Sequence, residues 1–139
     1  MPPFGQGDES RVKKAISSPD APNPGGAYSP ALRAGDLLFV SGQIPIDPST
    51  GHLVQGDAAV QARRVMDNLG ELLKAAGLSF DHIVRTTVFL ADMNDFAIMN
   101  EVYASYFTEP RPARATVQVA RLPRDARIEI DAIASFAAI

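Results

Sequence analysis

The chain has 139 residues, no cysteine and a formal net charge of -3, with 46% hydrophobic and 21% charged residues. Its length fits one domain that buries roughly two thirds of the surface of its unfolded chain, and its composition is far from that of disordered segments. The lack of cysteine excludes thiolate metal sites and cysteine nucleophiles. The acidic balance counts against a nucleic-acid partner, and no apolar run reaches the ~18 residues of a membrane span. The expectation is a cytoplasmic protein with small-molecule partners, binding neither nucleic acid nor membrane.

Residues 1–10 are polar and glycine-bearing and read as a flexible extension. Residues 11–139 read as a single domain. "RVKKAISS" alternates well enough for a first short strand. Of the eleven prolines, six fall between Pro2 and Pro30, so "SPDAPNPGGAYSP" is a loop dense in turn formers. "ALRAGDLLFVSGQIPID" predicts two strands joined at Gly35-Asp36. Within it, the apolar run Leu37 to Val40 predicts burial on both faces, ending at Ser41-Gly42.

From Asp57, an N-cap residue, apolar side chains recur at Ala62, Val65, Met66, Leu69, Leu72, Leu73 and Ala76, the helical steps of three and four. Gly77 stands at the C-terminal stop. Arg63, Asp67, Glu71 and Lys74 form the solvated side. "HIVRTTVFLAD" follows as a strand. A second helix is predicted from near Asn94, with Phe96, Met99, Val102, Tyr103, Tyr106 and Phe107 as its apolar stripe and Pro110 and Pro112 as its end. "RATVQVA" and "ARIEIDAIASF" complete the order βββαβαββ. Helices interspersed among strands, each with one apolar stripe to bury, predict an α+β domain with a six-stranded mixed sheet and both helices on one face.

The chemistry-bearing candidates are few. There is no glycine-rich phosphate loop, no G-x-S-x-G elbow and no metal-ligand spacing. His52, in a polar loop, and His82, before a strand, read as surface residues. Charged residues on strands remain. Alternation places Arg114, Thr116 and Gln118 opposite Ala115, Val117 and Val119. In the last strand it sets Arg127, Glu129, Asp131, Ile133 and Ser135 opposite Ile128, Ile130, Ala132, Ala134 and Phe136. If the helices cover the apolar sides, Arg114 and Glu129 share the other, a wet lining or a subunit interface with a cleft. By residue type alone, each reads more readily as half of an exposed ion pair contributing ~0 to 1 kcal/mol, and it is the resemblance below that shifts the balance.

"RPARATVQVARLPRDARIEIDAIA" resembles the C-terminal signature of the reactive intermediate deaminase (Rid) family, also called YjgF-like proteins. "GDLLFVSGQIPID", "QARRVMDNLGELLKAAG" and "RTTVFLADMNDFAIMNEVYASYF" resemble that family in the same order, over about residues 12 to 136. The resemblance implies a chorismate-mutase-like fold, a homotrimer with pockets between neighbouring subunits, and hydrolysis of enamines and imines such as 2-aminoacrylate to a 2-oxo acid and ammonia, with no metal or organic cofactor. Carried over by motif, Arg114 matches the arginine that grips the substrate carboxylate and Glu129 the acidic residue beside the reacting centre. Tyr28 matches a tyrosine lining the pocket, Gly42 a backbone position facing the ligand, and Asn100 an asparagine supporting the site. Thr116 joins them as a hydroxyl on the face of Arg114. The chain departs from the family pattern at Pro30, often Gln, at Thr116, often Cys or another small residue, and at Gln118, often Glu; these bear on substrate range. The same residues would also suit a regulatory module that holds a 2-oxo acid without turnover. An RNA-cleaving role, attributed to some relatives, finds no basic stripe and no histidine pair here. Pro110 and Pro112 are expected to deliver Arg114 to its site with few backbone options.

Overall fold

The computed structural model describes residues 12–137; the expected extension over residues 1–10 lies outside them. The strands are β1 (Lys14–Ile16), β2 (Ala31–Ala34), β3 (Leu37–Gln43), β4 (Ile46–Asp47), β5 (His52–Leu53), β6 (Ile83–Leu90), β7 (Ala113–Gln118) and β8 (Ile128–Ser135). The helices are α1 (Ala58–Ala75), between β5 and β6, and α2 (Phe96–Ala104), between β6 and β7. Six strands form one sheet in the order β1-β2-β3-β8-β6-β7, antiparallel except for the parallel pair β6 and β7. Because β6 and β7 are parallel neighbours, α2 is their crossover connection. β6 lies between β7 and β8, so the "RLPRD" segment joins two strands that are not neighbours.

The α+β architecture is the one the sequence predicts. Asp57 caps α1, its side chain accepting a hydrogen bond from the Val60 N–H at 3.0 Å. At the other end Gly77, with φ +79, lets Leu78 N–H reach the Leu73 carbonyl at 2.8 Å, a Schellman closure. The helix lies across β3 and β8 with α2 beside it. Leu38, Met66, Leu69, Leu72, Leu73, Leu90, Met99, Ile128 and Ile130 are fully enclosed between the layers. Tyr103, Phe107, Phe80 and Tyr106 fill the space under α2 with tilted and edge-on ring contacts. No helix among the described residues is long and apolar enough to cross a membrane.

Four details differ from expectation. First, the run Leu37 to Val40 is buried on one face only: Leu38 and Val40 are enclosed, whereas Leu37 and Phe39 are 39% and 42% exposed. The helices cover one side of the sheet, and nothing among the described residues covers the other. Second, β3 continues past Gly42 to Gln43 through a register shift against β8 between Val40 and Gln43. Third, a small ribbon of β4 and β5 precedes α1, turned by Asp47, whose side chain accepts from Ser49 N–H at 2.8 Å, and by Gly51 at φ +76. Fourth, a 3-10 turn (Met93–Asp95) leads into α2, which stops at Ala104 well before Pro110. There the Ser105 hydroxyl donates to the Val102 carbonyl at 2.6 Å and the backbone tightens to 3-10 bonding.

Candidate active site

The structure divides the candidate residues into two clusters on opposite sides of the sheet. On β8, Ile128 and Ile130 point under the helices, so Glu129 points to the open face. Arg114 does not join it there. Its neighbour across the parallel pairing is Thr86, which is buried on the helix side and shares a 2.7 Å hydrogen bond with the Tyr103 hydroxyl of α2. The expectation that Arg114 and Glu129 share one face is therefore corrected. On the edge strand β7 it is the polar set, Arg114, Thr116 and Gln118, that turns toward α2, and Val117, 40% exposed, that lies on the open face.

The first cluster holds Arg114. Its Nη1 donates to the Asn100 side-chain oxygen at 2.8 Å. The guanidinium carbon lies 4.8 Å from the centre of the Tyr103 ring and 5.6 Å from that of Phe96, distances at which an aromatic face attracts a cation. Among the described residues no carboxylate pairs with it, so its charge is oriented by a neutral amide and two rings but is not neutralised. The Thr116 hydroxyl, on the same face, is enclosed and has no hydrogen-bond partner among the described residues. The Gln118 side chain accepts from Met93 N–H at 2.7 Å and so ties the end of β7 to the turn before α2.

The second cluster lines a cleft of about 390 Å³ that contains Tyr28, Gly42, Ile44, Ile46, Arg124 and Glu129. Gly42 is required here by contact rather than by φ. A Cβ at that position would lie 2.8 Å from Glu129 Cδ and 3.1 Å from its Cγ, so the missing side chain is the space in which the carboxylate sits. Burial, and secondarily the like charge of Asp131 on the same strand, push the Glu129 carboxyl above the ordinary carboxylate range. Tyr28 is 51% exposed, and its hydroxyl accepts from Gly25 N–H at 3.1 Å within its own loop. That loop is held to β3 by the Ser41 hydroxyl, which donates to the Ser29 carbonyl at 2.7 Å. The opposite wall is anchored by Asn68 of α1, whose amide donates to the Ile46 carbonyl at 2.9 Å.

Asn100, Thr116 and Arg114 thus come together, as do Tyr28, Gly42 and Glu129, but one chain does not bring the two groups into one site. Arg114 is level on the sheet with Ala132 and separated from β8 by β6. That is roughly 10 Å across two strand spacings and roughly another 10 Å along the strand to Glu129, through the thickness of the sheet as well. Tyr103 and Asn68 are the structural supports that periodicity conceals. Tyr103 reads as one more member of an apolar stripe. Asn68, though, is a polar residue at a stripe position between Val65 and Leu72, and that anomaly is a visible sign of a buried hydrogen-bonding role.

The model of the endoribonuclease L-PSP family matches residues 18–136. The chain belongs to this family, the YjgF/Rid family. Its relatives within that family include a RutC family protein of Pyrococcus horikoshii, 54% identical over 88% of this chain and 98% of the relative. A 2-iminobutanoate/2-iminopropanoate deaminase of Mus musculus is 50% identical over 90% of this chain and 93% of its own. Among solved structures, the YjgF/Rid fold is matched by E. coli TdcF with bound serine, with a TM-score of 0.84 and 45% identity over 88% of this chain and 98% of that one.

Proposed function

We propose that this protein is an enamine/imine deaminase of the 2-iminobutanoate/2-iminopropanoate type, whose active site is completed between copies of the chain. The observation that carries the reading is the state of Arg114: a half-buried guanidinium fixed by Asn100 and Tyr103, with no carboxylate partner among the described residues. Holding a cation partly out of water with no anion beside it among the described residues leaves its attraction for an external carboxylate unspent. The serine in TdcF and the deaminase names among close relatives support an amino-acid-like ligand of this kind.

In this reading the planar fork of Arg114 grips the substrate carboxylate through two parallel hydrogen bonds and fixes the plane of the adjoining imine. The opposite cluster, from a second copy, supplies Glu129 against the bare backbone of Gly42. Water adds to C2 of the iminium to give a carbinolamine. Glu129 accepts the water proton and passes it to nitrogen; as the C–N bond breaks and ammonia departs, the carboxylate takes the remaining hydroxyl proton and gives it up to solvent, and the C2 oxygen becomes the ketone of the 2-oxo acid. A carboxyl that burial holds above its ordinary range suits this exchange, because it returns a proton as well as accepting one. The two clusters occupy different surfaces, so in this reading the contact that joins them between copies is head-to-tail, and the family resemblance implies that it closes as a ring of three. Leu37, Phe39 and Val117 on the open face provide apolar surface for it.

The test generates 2-aminoacrylate with a pyridoxal-phosphate-dependent dehydratase and follows pyruvate release with native protein, Arg114→Ala and Glu129→Ala. Native protein is expected to accelerate release, the Arg114 variant to lose nearly all of that acceleration and the Glu129 variant most of it. An Arg114 variant as fast as native protein refutes the assignment. Binding of a 2-oxo acid with no acceleration by native protein would make the chain a metabolite-binding module instead.

A further inference from the structure

The cleft that holds Glu129 has a second charged group that this scheme does not use. Arg124 is the one cation among the described residues lining it, and Glu129 the one anion. The turn that presents Arg124 is built with unusual care. Arg124 and Asp125 both occupy the left-handed region, at φ 56 and 58, where a residue such as arginine is rarely found. The turn is held there from three sides: Leu122 is buried, Arg121 forks onto Asp125 through contacts of 2.6 and 3.0 Å, and Arg124 Nη1 donates to the Gly51 carbonyl at 2.9 Å. A left-handed arginine kept in place by its surroundings at the wall of a ligand cleft points to function, and one bond to a carbonyl occupies only one of the five N–H donors of the guanidinium.

We propose, resting on the deaminase reading, that Arg124 is a specificity-determining residue that binds an anionic substrate side chain, so that the site favours imines of dicarboxylic amino acids. Charge balance favours this class. Arg114, Arg124 and Glu129 together contribute one net positive charge. A monocarboxylic iminium is neutral overall and leaves that charge unmatched. A dicarboxylic iminium carries one net negative charge and cancels it, and matching of charge to charge, here by an exposed guanidinium at the cleft wall, is what discriminates between ligands of similar shape.

The experiment compares kcat/KM for imines generated by amino-acid oxidases from glutamate and from alanine, using native protein, Arg124→Lys and Arg124→Gly. Glycine accepts the positive φ without strain, so the last variant removes the guanidinium while keeping the turn. The glutamate-to-alanine ratio should fall on the order of tenfold or more in Arg124→Gly, the loss of one charge-assisted contact, and be partly retained in Arg124→Lys. Equal losses on both imines would reduce Arg124 to a structural strut and overturn the proposal. Calorimetric binding of 2-oxoglutarate and 2-oxobutanoate gives a readout independent of turnover. A preference for 2-oxoglutarate that disappears in Arg124→Gly supports the anion subsite even if native protein hydrolyses neither imine, an outcome that would refute the deaminase reading alone. No preference in native protein refutes the subsite.

Discussion

Replacing Gly42 by alanine probes the placement of the Glu129 carboxylate. The added methyl would meet Cδ at 2.8 Å and Cγ at 3.1 Å, whereas unstrained carbon contacts lie at about 3.5 Å or beyond, so the carboxylate must retreat by about 0.5 to 1 Å. The backbone accepts the change, because Gly42 does not occupy the left-handed region. Crowding a movable side-chain end costs about 1 kcal/mol, and the stiffer unfolded chain returns about 0.4 to 1 kcal/mol, so the folded protein should retain nearly its full stability. A displacement near 1 Å at the reacting centre costs up to about a hundredfold in rate, equivalent to about 2.7 kcal/mol of barrier. The assay measures kcat for 2-aminoacrylate hydrolysis alongside thermal unfolding, in native and Glu129→Ala backgrounds. The alanine should lower kcat about ten- to a hundredfold with native protein, and only about twofold where the carboxylate is already gone, since the two changes act through one group. A full-rate Gly42→Ala, or a loss undiminished without Glu129, would refute the reasoning.

Three further outcomes follow from the same contacts. Asn100→Ala removes the neutral acceptor that orients Arg114 and should raise KM about tenfold with a smaller effect on kcat; an unchanged KM counts against the positioning role. Tyr103→Phe strands the buried Thr86 hydroxyl and should cost about 1 to 2 kcal/mol in urea unfolding, with a loss near zero contradicting the observed pair. Glu129→Gln should change the pH dependence of stability: the carboxyl is raised above 4.5 in the fold, so the folded state of native protein holds its proton more tightly. That stabilisation is complete below the unfolded pKa and lost as pH rises through the folded one. The glutamine variant should therefore gain on native protein as pH rises from about 4 toward neutrality, and a constant difference in unfolding free energy across that range would contradict the raised carboxyl.

The legible parts of the fold were those where side-chain type and periodicity agree. Asp57, the apolar stripe from Ala62 to Ala76 and Gly77 define α1 almost to the residue, and the alternation of β8 gives its buried face outright. Alternation divides β7 into two sets but does not say which faces inward. The apolar set lies outward because β7 is an edge strand whose inner face meets the polar and aromatic residues of α2 rather than aliphatic core. Leu37 and Phe39 misled for a related reason: a run apolar on both faces encodes burial, but not that one chain covers a single face. The ribbon of β4 and β5 has too few residues to show a period, and it is held by Asn68 and Asp47 rather than by a hydrophobic pattern. The candidate residues were legible as types through family resemblance, whereas their separation into two clusters is a property of strand order.

The central claim is that Arg114 of one copy and Glu129 of another make one site. Co-refolding Arg114→Ala with Glu129→Ala in equal amounts and measuring 2-aminoacrylate hydrolysis tests it most directly. Each variant alone lacks half of every site, whereas random mixing unites an intact Arg114 with an intact Glu129 at about a quarter of the interfaces of a closed ring. The account predicts recovery to about a quarter of the native rate; a mixture that assembles like native protein yet is no more active than the two variants separately would contradict it.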